Sequence, residues 1–381
     1  MATMTRNRES NAPTACLLLA FELGQRSWKL GFSAGMGQRP RVRQIQAGAV
    51  GVIENEVVRA KRRLGLPLEA AVISCYEAGR DGFWLHRYLV AHGITNHVVD
   101  SSSIEVNRRA RRAKTDRLDL GGLLNLLARY VLGDRRVWRV VRVPTVGDED
   151  ARQLPRTWET LAEDRTRLIN RMKGLLTTQG VRVPIDKEFL EHLQAARVWD
   201  GTPVPAGLQE RLAQDWAQLR QVEQQLRERK ARATRPSDVT TPTGRAIEQL
   251  QTLRAIGVTG AWVLATEIFG WRQIENRRQL GGLVGLVPAP YQSGETAYDQ
   301  GITRAGNTHV RRVMVQLAWL WLQYQPQSAL SRWYQQRFGS GGKRLRRIGI
   351  VALARKLLIA LWRYLETGAV PDGAQLKPME V

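Results

Sequence analysis

One run of the chain limits its possible folds more than any other: Ala70-Ala71-Val72-Ile73-Ser74-Cys75-Tyr76. It is rich in β-formers and has no polar alternation, which predicts a strand buried on both faces. Such a strand needs helical layers on either side of the sheet. Upstream, Cys16 to Ala34 reads as two short strands, with Trp28, Leu30 and Phe32 alternating with Lys29 and Gly31 at the period of a half-buried strand. Residues 42–48 supply a third. Val52, Ile53, Val57 and Val58 then recur at helical spacing ahead of a basic end, Lys61-Arg62-Arg63. A helix around 82–92 leads to a short strand at His97–Asp100. The predicted order is β-β-β-α-β-α-β, a mixed α/β layer and not a doubly wound sheet.

Beyond this layer the chain turns helical. A helix is expected from about Asp116 to Leu132. Residues 151–235 are long, polar and rich in Gln, Arg and Glu. Within them Trp158, Leu161, Leu168, Met172 and Leu175 form one apolar seam, interrupted by Arg165. Leu208, Leu212, Trp216, Leu219, Val222 and Leu226 form a second. Two antiparallel helices or a coiled coil would bury both stripes. A Pro/Ser/Thr-rich joint follows, from Arg235-Pro236-Ser237 to Thr243-Gly244. The 381 residues thus divide into a flexible N-terminus (1–15), an α/β domain (16–150), a helical or coiled-coil spacer (151–244), a mainly α-helical C-terminal domain (245–370) with a Gly-rich loop at 281–306, and a tail (371–381). The tail after Gly368 is expected to fray.

Charge indicates the partner. Lys and Arg number 58 against 35 Asp and Glu, a formal net charge of +23. Clustered cations of that excess gain free energy on nucleic acid by releasing its counterions. Cys16 and Cys75 cannot form a disulfide framework, and the five histidines make no Cys/His cluster of the zinc type. Gln316 breaks the apolar stretch Val313–Leu322, and Arg355-Lys356 breaks the last one, so neither reaches the roughly 20 residues of a membrane span. The start of the chain lacks a convincing secretory signal. The expectation is a cytoplasmic, nucleic-acid-facing protein that does not enter the membrane.

Four carboxylates stand out by placement. Glu22 ends the first strand, and Glu77 directly follows the buried one. Asp116 and Asp119 open a helix three residues apart, on one face. If the first and fourth strands pair, all four converge at one sheet edge, where like charges are costly unless cations fill the gap. Oxygen ligands suit Mg²⁺ or Mn²⁺, and two such ions in a basic protein suit phosphodiester chemistry. The competing account is that the Asp pair serves the helix dipole and Glu22 is a solvated strand end. Arg108, Arg109, Arg111, Arg112 and Lys114 lie just before the Asp pair, either as a solvated helix face or as a phosphate-backbone track, for DNA or RNA.

In the C-terminal domain, Gly257-Val258-Thr259-Gly260 could bring backbone amides to a phosphate, or could be a plain turn between helices. Tyr291-Gln292-Ser293-Gly294 and Arg304-Ala305-Gly306-Asn307 flank a loop ahead of a helix that opens with Arg311-Arg312. Ser293 is either an exposed nucleophile or a turn serine. No His–Asp pair accompanies it, which argues against a protease-like triad. Arg304 and the amides near Gly306 could hold an anion. Trp319, Trp321, Trp333 and Trp362 are core or interface residues by type, and an oligomer follows from the second choice.

These phrases together resemble the DEDD-type transposases of the insertion-sequence 110 family, which also takes in Piv-like DNA invertases. The matching residues are Glu22, Tyr76-Glu77-Ala78-Gly79, Lys114-Thr115-Asp116-Arg117-Leu118-Asp119, Gly285-Leu286-Val287-Pro288, Ser293-Gly294, Arg304-Ala305-Gly306-Asn307, Arg311-Arg312 and Ala354-Arg355-Lys356-Leu357-Leu358. The resemblance runs from about 16 to 370. It implies a RuvC-like, RNase H-type first domain with Glu22, Glu77, Asp116 and Asp119 as ligands of Mg²⁺ or Mn²⁺. It also implies a C-terminal serine transposase domain with Ser293 as a nucleophile that forms a covalent DNA–serine intermediate. Arg304, Asn307, Arg311 and Arg312 then join the basic run as nucleic-acid-binding residues. Donor and target DNA, a structured non-coding guide RNA and a homo-oligomer, dimer or tetramer, are the implied partners. The family usually has Asp at the first acid, where this chain has Glu22, one methylene longer. Rival expectations are a metal-dependent nuclease using the RuvC-like half alone, a site-specific invertase, and a non-catalytic nucleic-acid-binding protein.

Overall fold

The computed structural model describes residues 15–105, 116–233, 238–293 and 296–378, and for 102, 116–119 and 291–300 it describes the backbone only. The basic run Arg108–Lys114 lies outside the described residues. The chain divides into two compact units, Met1–Val143 and Pro144–Val381.

The first unit is built on a five-stranded mixed sheet: β1 (Leu17–Leu23), β2 (Ser27–Ser33), β3 (Arg41–Gln46), β4 (Val72–Glu77) and β5 (Thr95–Val99). The strands lie in the order β3-β2-β1-β4-β5. The β1-β2 and β2-β3 pairs are antiparallel, whereas β1-β4 and β4-β5 are parallel. Two helices, α1 (Ile53–Arg63) and α2 (Trp84–Ala91), supply the crossovers. The mixed α/β class and the chain order β-β-β-α-β-α-β expected from the sequence are both present.

The central strands are apolar on both sides because both sides are covered. Leu17, Leu19 and Phe21 face α1 and α2 in a core with Trp28, Leu30, Tyr76, Leu85 and Leu89. Leu18, Ala20 and Cys75 face the other way, onto Leu120, Leu124 and Leu127 of α3 (Asp116–Val131). A Cβ on Gly31 would sit 3.1 Å from Leu124, so glycine lets α3 settle close on the sheet.

The second unit is mainly helical. α4 (Val146–Ala151) is closed by a Thr145/Asp148 capping box. α5 (Gln153–Thr177) and α7 (Ala206–Ala233) run antiparallel, as the ion pairs Arg165–Glu223 and Arg171–Asp215 require. Between them α6 (Phe189–Ala195) completes a core of Leu168, Met172, Phe189, Leu212, Trp216 and Leu219. Arg165, the interruption in the predicted seam, thus bonds a carboxylate on the facing helix.

A second core of this unit gathers α8 (Pro242–Gln251), α9 (Val258–Leu264), α10 (Arg277–Val284), α11 (Thr308–Tyr324), α12 (Ala329–Tyr334) and α13 (Lys343–Thr367). Gly260 lies against Leu317, its Cβ position 3.1 Å from that side chain, so this glycine serves helix packing. Trp321 is fully buried, whereas Trp319 is 48% exposed.

Two expectations are corrected. The segment read as a Gly-rich loop contains a hairpin, β6 (Pro288–Ser293) and β7 (Thr296–Ile302). Its prolines are tolerated because each strand of a two-stranded ribbon has a free edge, and a register shift falls between Pro288 and Pro290. The tail does not fray before residue 378. The Arg254 amide donates to the Gln375 carbonyl at 3.1 Å, the Lys377 amide to that of Thr252 at 2.7 Å, and the Gln325 side chain also holds Gln375. No helix among the described residues is long and apolar enough to cross a membrane.

Candidate functional site

In the first unit, parallel register carries two of the acids together. Leu18 pairs with Ile73, Ala20 with Cys75, and Phe21 with Tyr76. Glu22 and Glu77 occupy the next step on neighbouring strands. Alternation puts both on the face that α3 covers, since Ala20 and Cys75 belong to that core. Burial, with Glu77 adding to it, pushes the Cys75 thiol up from its ordinary value. Glu22 is half-buried and stands directly across from Lys29 on β2, while Glu77 is exposed. Asp116 and Asp119 open α3, which packs across this same face, but only their backbone is described. Two carboxylates at adjacent strand ends form an oxygen donor set that fits a hard divalent ion.

In the second unit the hairpin stands on a locked base. α10 begins at an Asn276 cap and ends in a left-handed Gly285 (φ 70°), with Leu286 bonded back to Gly281 and Gly285 to Gly282 in a Schellman closure. A Cβ on Gly285 would lie 2.2 Å from the Ala305 carbonyl oxygen. Where the chain leaves the hairpin, the amides of Thr303 and Arg304 donate to Val287 and Gly285, and that of Asn307 to Leu283. Gly306 has φ 114°, and its Cβ would fall 2.4 Å from the Leu283 oxygen. The Arg311 guanidinium donates to the carbonyls of Val284 and Arg304, each at 2.9 Å. Entry and exit strands are therefore fixed to one another. Ser293 ends β6 beside the turn and pairs with Thr296.

The base is tied further into the unit through a buried acid that sequence reasoning did not single out. Glu267 sits in a π-helical turn, Ala265–Phe269, and is 2% exposed. Arg156 of α5 grips it through two bonds of 2.6 and 3.0 Å. The Asn307 amide donates to it at 2.8 Å while the Asn307 oxygen caps α11. Burial alone would raise the Glu267 carboxyl, but Arg156 and Asn307 outweigh it and hold the group below its ordinary value. Burial, together with Arg152 nearby, lowers the Arg272 guanidinium to about 10, and this group stacks on Trp271 at 4.2 Å. A lone Glu inside the apolar run Trp262–Phe269 is the signal that could have flagged the site.

Of the residues expected to touch nucleic acid, Asn307 and Arg311 hold the hairpin base. Arg312 pairs with Glu159 and Glu163 of α5, and His309 also meets Glu159. Arg304 is exposed with a left-handed backbone, φ 54°. Elsewhere, donor atoms of Asp186, Glu188 and His192 lie within 4.8 Å of one another. Asp186 there accepts from the Glu188 amide at 3.1 Å, a local turn at the start of α6.

Comparison with known proteins bears on this unit first. The family described as "Transposase IS116/IS110/IS902 family" matches residues 247–335, which span Glu267, the hairpin and Arg311. Across nearly the whole molecule, the chain is 38% identical over 399 residues to y4rJ, a protein of Sinorhizobium fredii named as a transposase, covering 98% of this chain and 99% of that one. The chain belongs to the IS116/IS110/IS902 transposase family. Among other relatives are the transposase for insertion sequence element IS1328 of Yersinia enterocolitica, 28% identical over 60% of this chain and 66% of its own, and that for IS1111A of Coxiella burnetii, 23% identical over 65% of each. The transposase is accordingly an insertion-sequence enzyme of DNA recombination.

Proposed function

We propose that this transposase cuts and rejoins DNA with Ser293 as nucleophile, assisted by divalent ions held at Glu22, Glu77, Asp116 and Asp119. The observation that carries the reading is the place of Ser293, at the turn end of a hairpin whose base is locked by Gly285, Gly306 and Arg311. A rigid base presents one hydroxyl in a repeatable position, which is what in-line attack needs. The Ser293 oxygen forms a bond to phosphorus, one bond from phosphorus to a deoxyribose oxygen breaks, and that oxygen leaves as a hydroxyl bearing the serine proton. Attack of a deoxyribose hydroxyl on the phosphoserine reverses the sequence and rejoins DNA. A bound Mg²⁺ or Mn²⁺ would supply Lewis acidity toward the phosphate.

The sheet order β3-β2-β1-β4-β5, with an acid at the end of each of two adjacent parallel strands, supports a RuvC-like identity for the first unit. The charge of +23 supports DNA together with a structured guide RNA as partners. The exposed Trp319, Leu320 and Tyr324 on α11 support a homo-oligomer.

A two-plasmid recombination assay with the element's flanking DNA supplied tests the reading, with protein–DNA adducts trapped by denaturation. Wild type should yield recombinants and an adduct. Ser293→Ala should yield neither while still binding DNA. Full recombination by that variant would remove the serine from the mechanism.

A further inference from the structure

A large cleft of the second unit takes in Arg304 but otherwise residues with no role assigned so far. It has a volume of about 1060 Å³ and opens between the base of the hairpin and one side of α13. Arg277 and Arg278 line it from the first turn of α10, and Arg304 from the hairpin exit. Lys343, Arg344 and Arg347 line it from the start of α13, and Arg355 and Lys356 lie further along that helix. Among the described residues no acid lines it, and none of these eight cations has a carboxylate within salt-bridge distance. Its lining also has an apolar part, Trp333, Ile348, Val351 and Ala352: Ile348 is 52% exposed, the other three are half-buried, and Lys356 lies 4.6 Å from the centre of the Trp333 ring.

We propose that this cleft holds a single strand of DNA, its phosphates on the cationic rims and its bases on the apolar part beside Trp333. Cationic rims alone would suit any polyanion. An apolar lining that reaches the surface at Ile348 beside a half-buried Trp333 favours a strand whose base faces are free, because a duplex keeps those faces stacked inside itself. Pro288, Gly301 and Ile302 of the hairpin form part of the wall, so a strand lying here continues onto the element that carries Ser293. The inference rests on the transposase reading for its choice of DNA as the polymer.

Binding by the full chain, followed by fluorescence anisotropy in EDTA so that nothing is cut, decides the matter. The probes are one labelled oligonucleotide as single-stranded DNA, as duplex and as single-stranded RNA. Arg344→Glu with Arg347→Glu should weaken single-stranded DNA binding about tenfold or more and flatten its salt dependence by about 1.4 log units per log unit of salt. Trp333→Phe, which keeps the ring, should bind as wild type, and Trp333→Ala should lose about fivefold. Arg182→Glu with Arg211→Glu, an equal change of charge at exposed sites outside the cleft, should change affinity less than about twofold. Equal losses in the control pair, equal losses for duplex, or RNA held more tightly than DNA would each overturn the proposal. Because Ser293 takes no part in this assay, intact strand binding without any trapped adduct would count against the serine chemistry alone.

Discussion

At the scale of single residues, the hairpin base depends on Gly285 and Gly306, at each of which an added Cβ would collide with backbone, whereas nearby Gly282 is free of such contacts. Gly306 needs φ 114° and has backbone oxygens of Leu283 and Gly282 at 2.4 and 2.9 Å from the position of an added Cβ. Gly306→Ala therefore carries both a strained backbone and a clash with atoms that cannot rotate away. We expect it to cost about 2 kcal/mol or more, read from urea unfolding midpoints. The same substitution at Gly282, where nothing lies within 4 Å, should be near neutral. Equal costs at the two sites would mean that the base is not locked as described. The sequence contained both glycines but not their difference, which depends on which backbone approaches each one.

At the scale of elements, the contact between α5 and the serine hairpin turns on one buried carboxylate. Glu267 has a folded-state pKa held below the ordinary value by Arg156 and Asn307. Its stabilisation is therefore complete above the unfolded value of about 4.3 and is lost as pH falls through the depressed folded value. Glu267→Gln should lower stability at pH 7 by about 2 kcal/mol, discounted from a fully buried pair because Arg156 is 41% exposed. It should also flatten the acid limb below about pH 5. Unfolding midpoints at pH 7 and pH 3.5 check both. An acid limb as steep as wild type would place the titrating group elsewhere. The apolar seams of α5 and α7 were legible because their period is local. The partner of Glu267 was not, since Arg156 lies 111 residues away.

At the scale of the whole molecule, a charge of +23 favours a polyanionic partner, and the metal proposed at the carboxylates of the first unit can be tested by removing it. We expect EDTA to abolish DNA cleavage, and Mn²⁺ or Mg²⁺ to restore it, while oligonucleotide binding persists throughout. Cleavage that continues in EDTA would remove the metal from the reaction. Sequence alone determined the mixed sheet, because strands buried on both faces leave an unbroken apolar run, and it fixed Glu22 and Glu77 at the ends of two of them. Sequence also determined the sign of the partner's charge. Tertiary structure alone decided the roles of the polar residues near the serine. Asn307, Arg311 and Arg312 were expected from the resemblance to bind nucleic acid, yet each is held by a carbonyl or carboxylate brought from a distant segment. The tail is docked by the same means, the Lys377 amide donating to the Thr252 carbonyl and the Gln375 carbonyl accepting from the Arg254 amide. Hydrophobic burial leaves a periodic trace along the chain, but a hydrogen bond between remote segments leaves none, and that is where sequence and fold part.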